Sequence, residues 1–164
     1  LDEVAKDGRY SKEVLERFDE KPMNFAFIPV PAGGTTISLE QDIAIRQFNF
    51  IRKKANEEKE SFVIVGRCAE EILSDNPNMI SAFILGDKDA ESKAKRVMER
   101  EGVDEKTALN MMKKMDKMRK VYHNFYCESK WGDSRTYDIC IKIGKVDVDT
   151  ATDMIIKYID SRDN

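Results

Sequence analysis

Three short apolar runs end at glycines, and helical sequence separates them. Phe62-Val63-Ile64-Val65 runs into Gly66, Met79 to Leu85 into Gly86, and Tyr137 to Ile143 into Gly144. An apolar run without in-and-out alternation reads as a strand covered on both faces. Ala69 to Leu73, Ala90 to Glu101, a long segment from Asp104 to about Cys127, and Thr150 to Ile159 read as helices around these strands. A strand that reaches a parallel neighbour must cross back through such a helix. The pattern therefore predicts an α/β fold, a three-layer parallel sheet with helices on both faces. The 164 residues fit a single domain, 1–164.

Before the first run the chain is punctuated differently. The opening residues read as the end of a helix stopped by Gly8, and Ser11 caps a short helix to about Glu20, which Pro22 ends. Residues 23 to 37 carry Pro29, Pro31, Gly33 and Gly34, and read as a loop or short edge segment. Ser38 with Gln41 three residues on fits a capping box, and a helix to about Glu60 follows. Ala44, Phe48, Ile51 and Ala55 form its expected buried stripe.

Charge and composition exclude several function classes. Lys+Arg 28 against Asp+Glu 31 leaves a net charge of -3, so no nucleic-acid partner is expected. No apolar run is long enough for a membrane span. Cys68, Cys127 and Cys140 are odd in number and widely spaced, which suits neither a disulfide framework nor a zinc site. Reduced thiols in a cytoplasmic protein are the simple expectation, with no metal ligands assigned. His123 is the single histidine, and no G-x-S-x-G elbow accompanies it. It reads as a structural or surface residue. Gly33-Gly34-Thr35-Thr36 is a weak phosphate cradle, and no G-x-x-x-x-G-K-[ST] occurs.

Ligands of open parallel sheets bind beyond the carboxyl ends of the strands. Those ends are Gly66-Arg67-Cys68, Gly86-Asp87-Lys88 and Gly144-Lys145. Arg67 stands directly before a helix, whose first N–H groups would join its guanidinium fork on a phosphate; the plain alternative is a surface charge after a strand. Gly144 and Lys145 are the expected cofactor-side pair. Arg96 and Arg100, with Lys93, share a helix face, although Glu99 and Glu101 make an ordinary solvated stripe the competing reading. Gly102-Val103-Asp104 joins this helix to the next, so 90–127 forms a cation-rich helical hairpin of the kind that closes over phosphates. Met111, Met112, Met115 and Met118 read as packing, as does Trp131. Asp116 and Arg119 are spaced for a helix ion pair.

In order along the chain stand Val65-Gly66-Arg67-Cys68-Ala69, Gly86-Asp87, Lys95-Arg96-Val97-Met98-Glu99-Arg100-Glu101-Gly102 and Lys114-Met115-Asp116-Lys117-Met118-Arg119. Tyr122-His123-Asn124-Phe125-Tyr126, Lys130-Trp131-Gly132-Asp133 and Tyr137-Asp138-Ile139-Cys140-Ile141 complete the series. This order resembles the cytidylate-kinase-like family, a branch of the nucleoside monophosphate kinases with the P-loop fold. The resemblance covers essentially the whole chain and is strongest from about residue 60 to 160. It implies phosphoryl transfer from ATP, with Mg2+, to a nucleoside monophosphate. It also implies a helical-hairpin lid at 90–127 and an acceptor-side insertion at 23–60. Gly66 and Arg67 match the family's Gly-Arg-Asp turn, which binds the monophosphate, while Cys68 replaces the aspartate. Arg96 and Arg100 resemble the lid arginines that neutralise the transferring phosphates. Asp116 and Arg119 match the last half of an Arg-Asp-x-x-Asp-x-x-Arg pattern, with Met112 in place of its first arginine. Asp116 would hold a base amino group or orient Arg119.

The family's sheet begins with an earlier strand, a phosphate loop and a helix, a unit of about 30 residues. Leu1 is expected to follow that unit. The competing expectations are a non-catalytic nucleotide- or phosphate-binding regulatory protein on a degenerate kinase fold, motivated by Cys68 and Met112, and an unrelated doubly wound domain.

Overall fold

The computed structural model describes residues 2–6, 9–19, 37–57, 61–86 and 90–162. Helices α1 (Asp2–Ala5), α2 (Lys12–Phe18), α3 (Leu39–Glu57) and α4 (Ala69–Ile72) precede strand β1 (Ala82–Leu85). Helices α5 (Ala90–Glu101) and α6 (Glu105–Tyr126) lead to strand β2 (Ile139–Lys142), and α7 (Val148–Arg162) follows. The result is a helix-rich α/β chain. The expectations for Gly8, Pro22, all but the last residue of the 23–37 loop, with its Gly33-Gly34-Thr35-Thr36, and the Asp87-Lys88 strand end lie outside the described residues. No described helix is long and apolar enough to cross a membrane.

The helix starts follow from local chemistry. The Ser11 hydroxyl accepts from the Val14 amide at 3.4 Å. At α3 the capping box is reciprocal: the Gln41 amide donates to Ser38 Oγ and the Ser38 amide to Gln41 Oε1, both at 3.3 Å. Asp104 Oδ1 accepts from the Thr107 amide at 2.7 Å to open α6. Such caps contribute roughly 1 kcal/mol each by satisfying amides that the helix leaves open. Gly102 ends α5 with φ +65°, its amide donating to Met98 O at 2.8 Å, a left-handed stop that favours glycine. Helix α7 begins earlier than expected, because Asp147 caps it through the Thr150 amide at 2.8 Å.

The chain divides into two compact units, one of residues 1–76 and 118–128, the other of 77–117 and 129–164. In the first, Ala44, Cys68, Tyr122 and Cys127 form a buried cluster, with Phe48, Ile72 and Tyr126 packed against it. The buried stripe of α3 is Ile43, Ala44, Gln47 and Ile51. It is turned slightly from the expected one, leaving Phe48 and Ala55 half-buried.

The run Phe62–Val65 departs from expectation, because it forms no strand among the described residues. Phe62 and Ile64 are half-buried, whereas Val63 is 91% exposed and Val65 79%. A run without polar alternation looks covered on both faces, but coverage needs a neighbour on each side. Within the described residues only one face of this segment has one. Among the described residues the sheet therefore has two strands where three were expected.

In the second unit β1 and β2 pair in parallel, Ala82 opposite Ile139 through Leu85 opposite Lys142. Their helical crossover is as expected of parallel neighbours. Phe83 packs edge-on against Trp131 at 5.7 Å between ring centroids and tilted against Tyr137 at 4.9 Å, so Trp131 is a packing residue. A Cβ on Gly132, which has φ +78°, would meet the Phe83 ring at 3.3 Å. Arg162, in the last turn of α7, donates to the carbonyls of Pro77 and Met79, each at 2.6 Å, and so ties that helix to the chain entering β1.

Below the strands sits a polar clasp. Asp138 Oδ2 accepts from the Ser81 amide at 2.7 Å and from the Ser81 hydroxyl at 2.8 Å, and Ser81 Oγ accepts from the Asp138 amide at 3.0 Å. The Ser81 amide bond holds the Asp138 carboxyl below its ordinary range. A carboxyl depressed on folding stabilises the native state above its unfolded value of about 3.9, and that contribution is lost as pH falls below it. Asp138→Ala is expected to cost about 1–3 kcal/mol, since buried Ser81 loses its acceptor. Denaturant titrations between pH 7 and about pH 3 check this: the gap between wild type and variant should narrow toward the acid end, and a constant gap would show the clasp carries no charge-dependent stability.

Candidate functional site

Gly66, Arg67 and Cys68 have φ of 72°, 56° and 54°, three left-handed residues in succession. Glycine takes this conformation freely, but each of the other two costs about 1–2 kcal/mol there. The cost is met by what the two side chains do. Arg67 Nε and Nη2 donate to Asp19 Oδ1 at 3.1 Å and Oδ2 at 2.7 Å, a two-pronged pair with both side chains about three-quarters buried. Arg67 Nη1 also donates to Val65 O at 3.1 Å. Cys68 points the other way and is 4% exposed in the core. Charge-assisted hydrogen bonds contribute about 1.5–3 kcal/mol each when well sheltered, enough to offset the strain even after discounting for the solvent that reaches this pair.

Asp19 is shared. Its Oδ1 also accepts from Gln47 Nε2 at 3.1 Å, and Gln47 is 2% exposed on the buried face of α3. Arg67 is thus one of the residues lining a cleft of about 300 Å³, with Gln47, Ile51, Lys54, Phe62 and Val65 among the others. Lys54 lies 5.3 Å from the Phe62 ring centroid, so the cleft joins an apolar wall to cationic groups. A cleft of this character suits a flat, partly apolar ligand with an anionic end. Helix α4 has only four residues, so it adds little of the expected helix-terminus field at Arg67.

Gly66, Arg67 and Arg119 belong to the first unit, and Arg96, Arg100, Asp116, Gly144 and Lys145 to the second. Arg96 and Arg100 are exposed on α5, where Arg100 Nε donates to Glu101 Oε1 at 2.7 Å. On α6 Asp116 is half-buried and Arg119 exposed. Gly144 has φ +109°, and its amide donates to Val146 O at 3.2 Å. That amide is occupied, which leaves the exposed Lys145 as the cationic member of the pair.

Sequence reasoning missed Asp19 and Gln47. The available signal was a glutamine midway between Ile43 and Ile51 on an apolar stripe, since a polar residue there requires a buried partner. It also missed the surroundings of His123, which is 5% exposed, its Nε2 2.6 Å from Glu70 Oε1. Burial disfavours the imidazolium, but neighbouring Cys127 and Glu70 outweigh it and raise His123 well above its ordinary value. Cys68, hydrogen-bonded to Cys127, lowers the Cys127 thiol; burial opposes this and His123 assists it.

Two comparisons bear on the whole chain. Residues 1–145 match the cytidylate kinase-like family. A crystal structure of an uncharacterized protein from Eubacterium ventriosum is 79% identical, covering 98% of this chain and 89% of that one, with a TM-score of 0.70. No curated protein matches the chain significantly.

A thiolate reacts only if reagent can reach it. Iodoacetamide offered to the native, reduced protein is therefore expected to label exposed Cys140 first, and buried Cys68 and Cys127 only after unfolding. Peptide mass mapping reads the order; rapid native labelling of Cys127 would show that its cluster is open to solvent.

Proposed function

Because the chain belongs to the cytidylate kinase-like family, we propose that it transfers a phosphoryl group from ATP to a nucleoside monophosphate, cytidylate-like but with the base undecided. The observation that carries this reading is Arg67, held on a strained turn and lining a cleft with an apolar wall. A planar fork already paired with one carboxylate is preorganised for another two-oxygen anion. In this reading the monophosphate exchanges with Asp19 for the Arg67 fork, and the base lies toward Phe62 and Ile51.

Phosphoryl transfer consists mainly of positioning and charge stabilisation. Arg96 and Arg100 take the part of lid cations on the 90–127 hairpin, and their exposure on α5 leaves them able to serve it. Arg119 neutralises developing charge, and Asp116 holds a base amino group or orients Arg119. Family membership brings nucleotide and metal use in general. ATP and Mg2+ are the specific form proposed, with Lys145 as the residue toward the ATP phosphates. Bound ATP would supply the transferred group and Mg2+ would neutralise its oxygens. The proposal takes 1–164 as one three-layer P-loop kinase domain, with 23–60 on the acceptor side.

A second reading is a nucleotide-binding protein without turnover. Cys68, which stands where the family's turn has aspartate, is buried against Cys127 and contributes no carboxylate to the cleft.

The test is a coupled assay of ATP with a panel of monophosphates, beside thermal melts in the same nucleotides. Arg67→Ala is expected to lower kcat/KM by about 10²–10³-fold, as removal of a charge-stabilising donor does, and to abolish the melting shift given by the monophosphate. Arg67→Lys should recover part of the binding but little of the rate, since it keeps the charge and loses the fork. Melting shifts without turnover by the wild type would favour the second reading; neither shift nor turnover would sink both.

A further inference from the structure

The first unit holds a buried set of metal-binding groups away from the cleft lining. Glu70, His123 and Cys127 bring one ligand atom each to within 4.8 Å of one another. His123 and Cys127 lie one turn apart at the end of α6, where the Cys127 amide donates to His123 O at 2.9 Å. Glu70 lies in the first turn of α4 and Cys68 at its cap. The Cys68 and Cys127 side chains are hydrogen-bonded. Cys68 stands outside that trio but touches Cys127, so thiol and imidazole donors from two short chain segments gather at one buried place, a donor chemistry common in structural zinc sites. The wide separation of the cysteines in sequence, which argued against zinc, is closed by the fold.

One atom makes the arrangement more than a polar cluster. Glu70 occupies His123 Nε2, and the other ring nitrogen, Nδ1, is fully buried and meets no hydrogen-bond partner of good geometry among the described residues. A buried polar atom left in this way costs about 1–3 kcal/mol. A carboxylate on one imidazole nitrogen with a metal on the other is the arrangement by which proteins fix a histidine ligand. Thiolate and imidazole donors select zinc-class ions over magnesium or calcium.

We propose that Cys68 Sγ, Cys127 Sγ and His123 Nδ1 bind one thiophilic divalent cation of the zinc class, with Glu70 holding the imidazole through Nε2. The ion takes the place of two protons, that of the Cys68 thiol and the one held between Cys127 and His123, and both leave to solvent. It ties α4 to the end of α6 and so braces the Gly66–Cys68 turn from the core side. The site is independent of whether the protein is a kinase.

Cobalt(II) reports such sites by a sulfur-to-metal charge-transfer band and the visible bands of tetrahedral coordination. It would be added to the reduced, metal-stripped whole protein, both native and during refolding. One equivalent is expected to produce these bands, and zinc to displace it. Cys127→Ser and His123→Ala should abolish the charge-transfer band or shift it strongly. Glu70→Gln should keep it with affinity reduced by about 10–100-fold, and Cys140→Ser should leave it unchanged. Circular dichroism of each variant separates loss of the site from loss of the fold. Absence of the band in the wild type under both loading conditions would overturn the proposal, and so would a band that is unchanged in folded Cys127→Ser or depends on Cys140.

Discussion

The turn of Gly66, Arg67 and Cys68 is held from both sides, and much of the first unit is organised by that fact. Left-handed backbone at two non-glycine residues persists only where neighbours over-determine it. Here Arg67 is fastened to Asp19 on one side, and Cys68 is buried with Cys127 on the other. The turn therefore sends adjacent side chains in opposite directions, one to the cleft and one to the core. Replacing either anchor would release strain into the other. The candidate phosphate ligand and the buried thiol cluster are thus mechanically linked, although their chemistry differs.

The charge on Asp19 is distributed among its neighbours. It faces Arg67 twice and buried Gln47 once. An anion that took the Arg67 fork would leave Asp19 with Gln47 and solvent, a modest loss because the aspartate is itself a quarter exposed. In a dry interior the same exchange would strand a carboxylate and cost several kcal/mol, roughly. Partial exposure therefore makes the exchange accessible. The second unit uses a different device, the Ser81–Asp138 clasp beneath the parallel pair, in which every strong donor has a short-range acceptor.

Much of this was legible along the chain. Ser38 with Gln41, Asp104 and Gly102 marked helix ends correctly, because capping is decided by residues three or four positions apart. The strands at Ala82–Leu85 and Ile139–Lys142 lie within the expected runs, and their parallel pairing followed from the helices between them. Arg67 was legible as a strand-end cation, but its partner was not. Nothing near residue 67 points to Asp19, which lies 48 positions away. Phe62–Val65 misled because an apolar run records what could be covered, not whether a neighbour covers it.

The sequence by itself determined where helices start and stop, which segments could be strands, and which family order the charged residues follow. These are matters of local hydrogen bonding, periodicity and spacing, all short-range along the chain. Only the tertiary structure decided that Arg67 meets Asp19, that Gln47 is buried, that Glu70, His123 and Cys127 come together, and that Cys68 packs with Cys127. Those contacts join residues far apart in sequence, and their free energy depends on burial and dielectric surroundings that do not exist until the chain has closed around them.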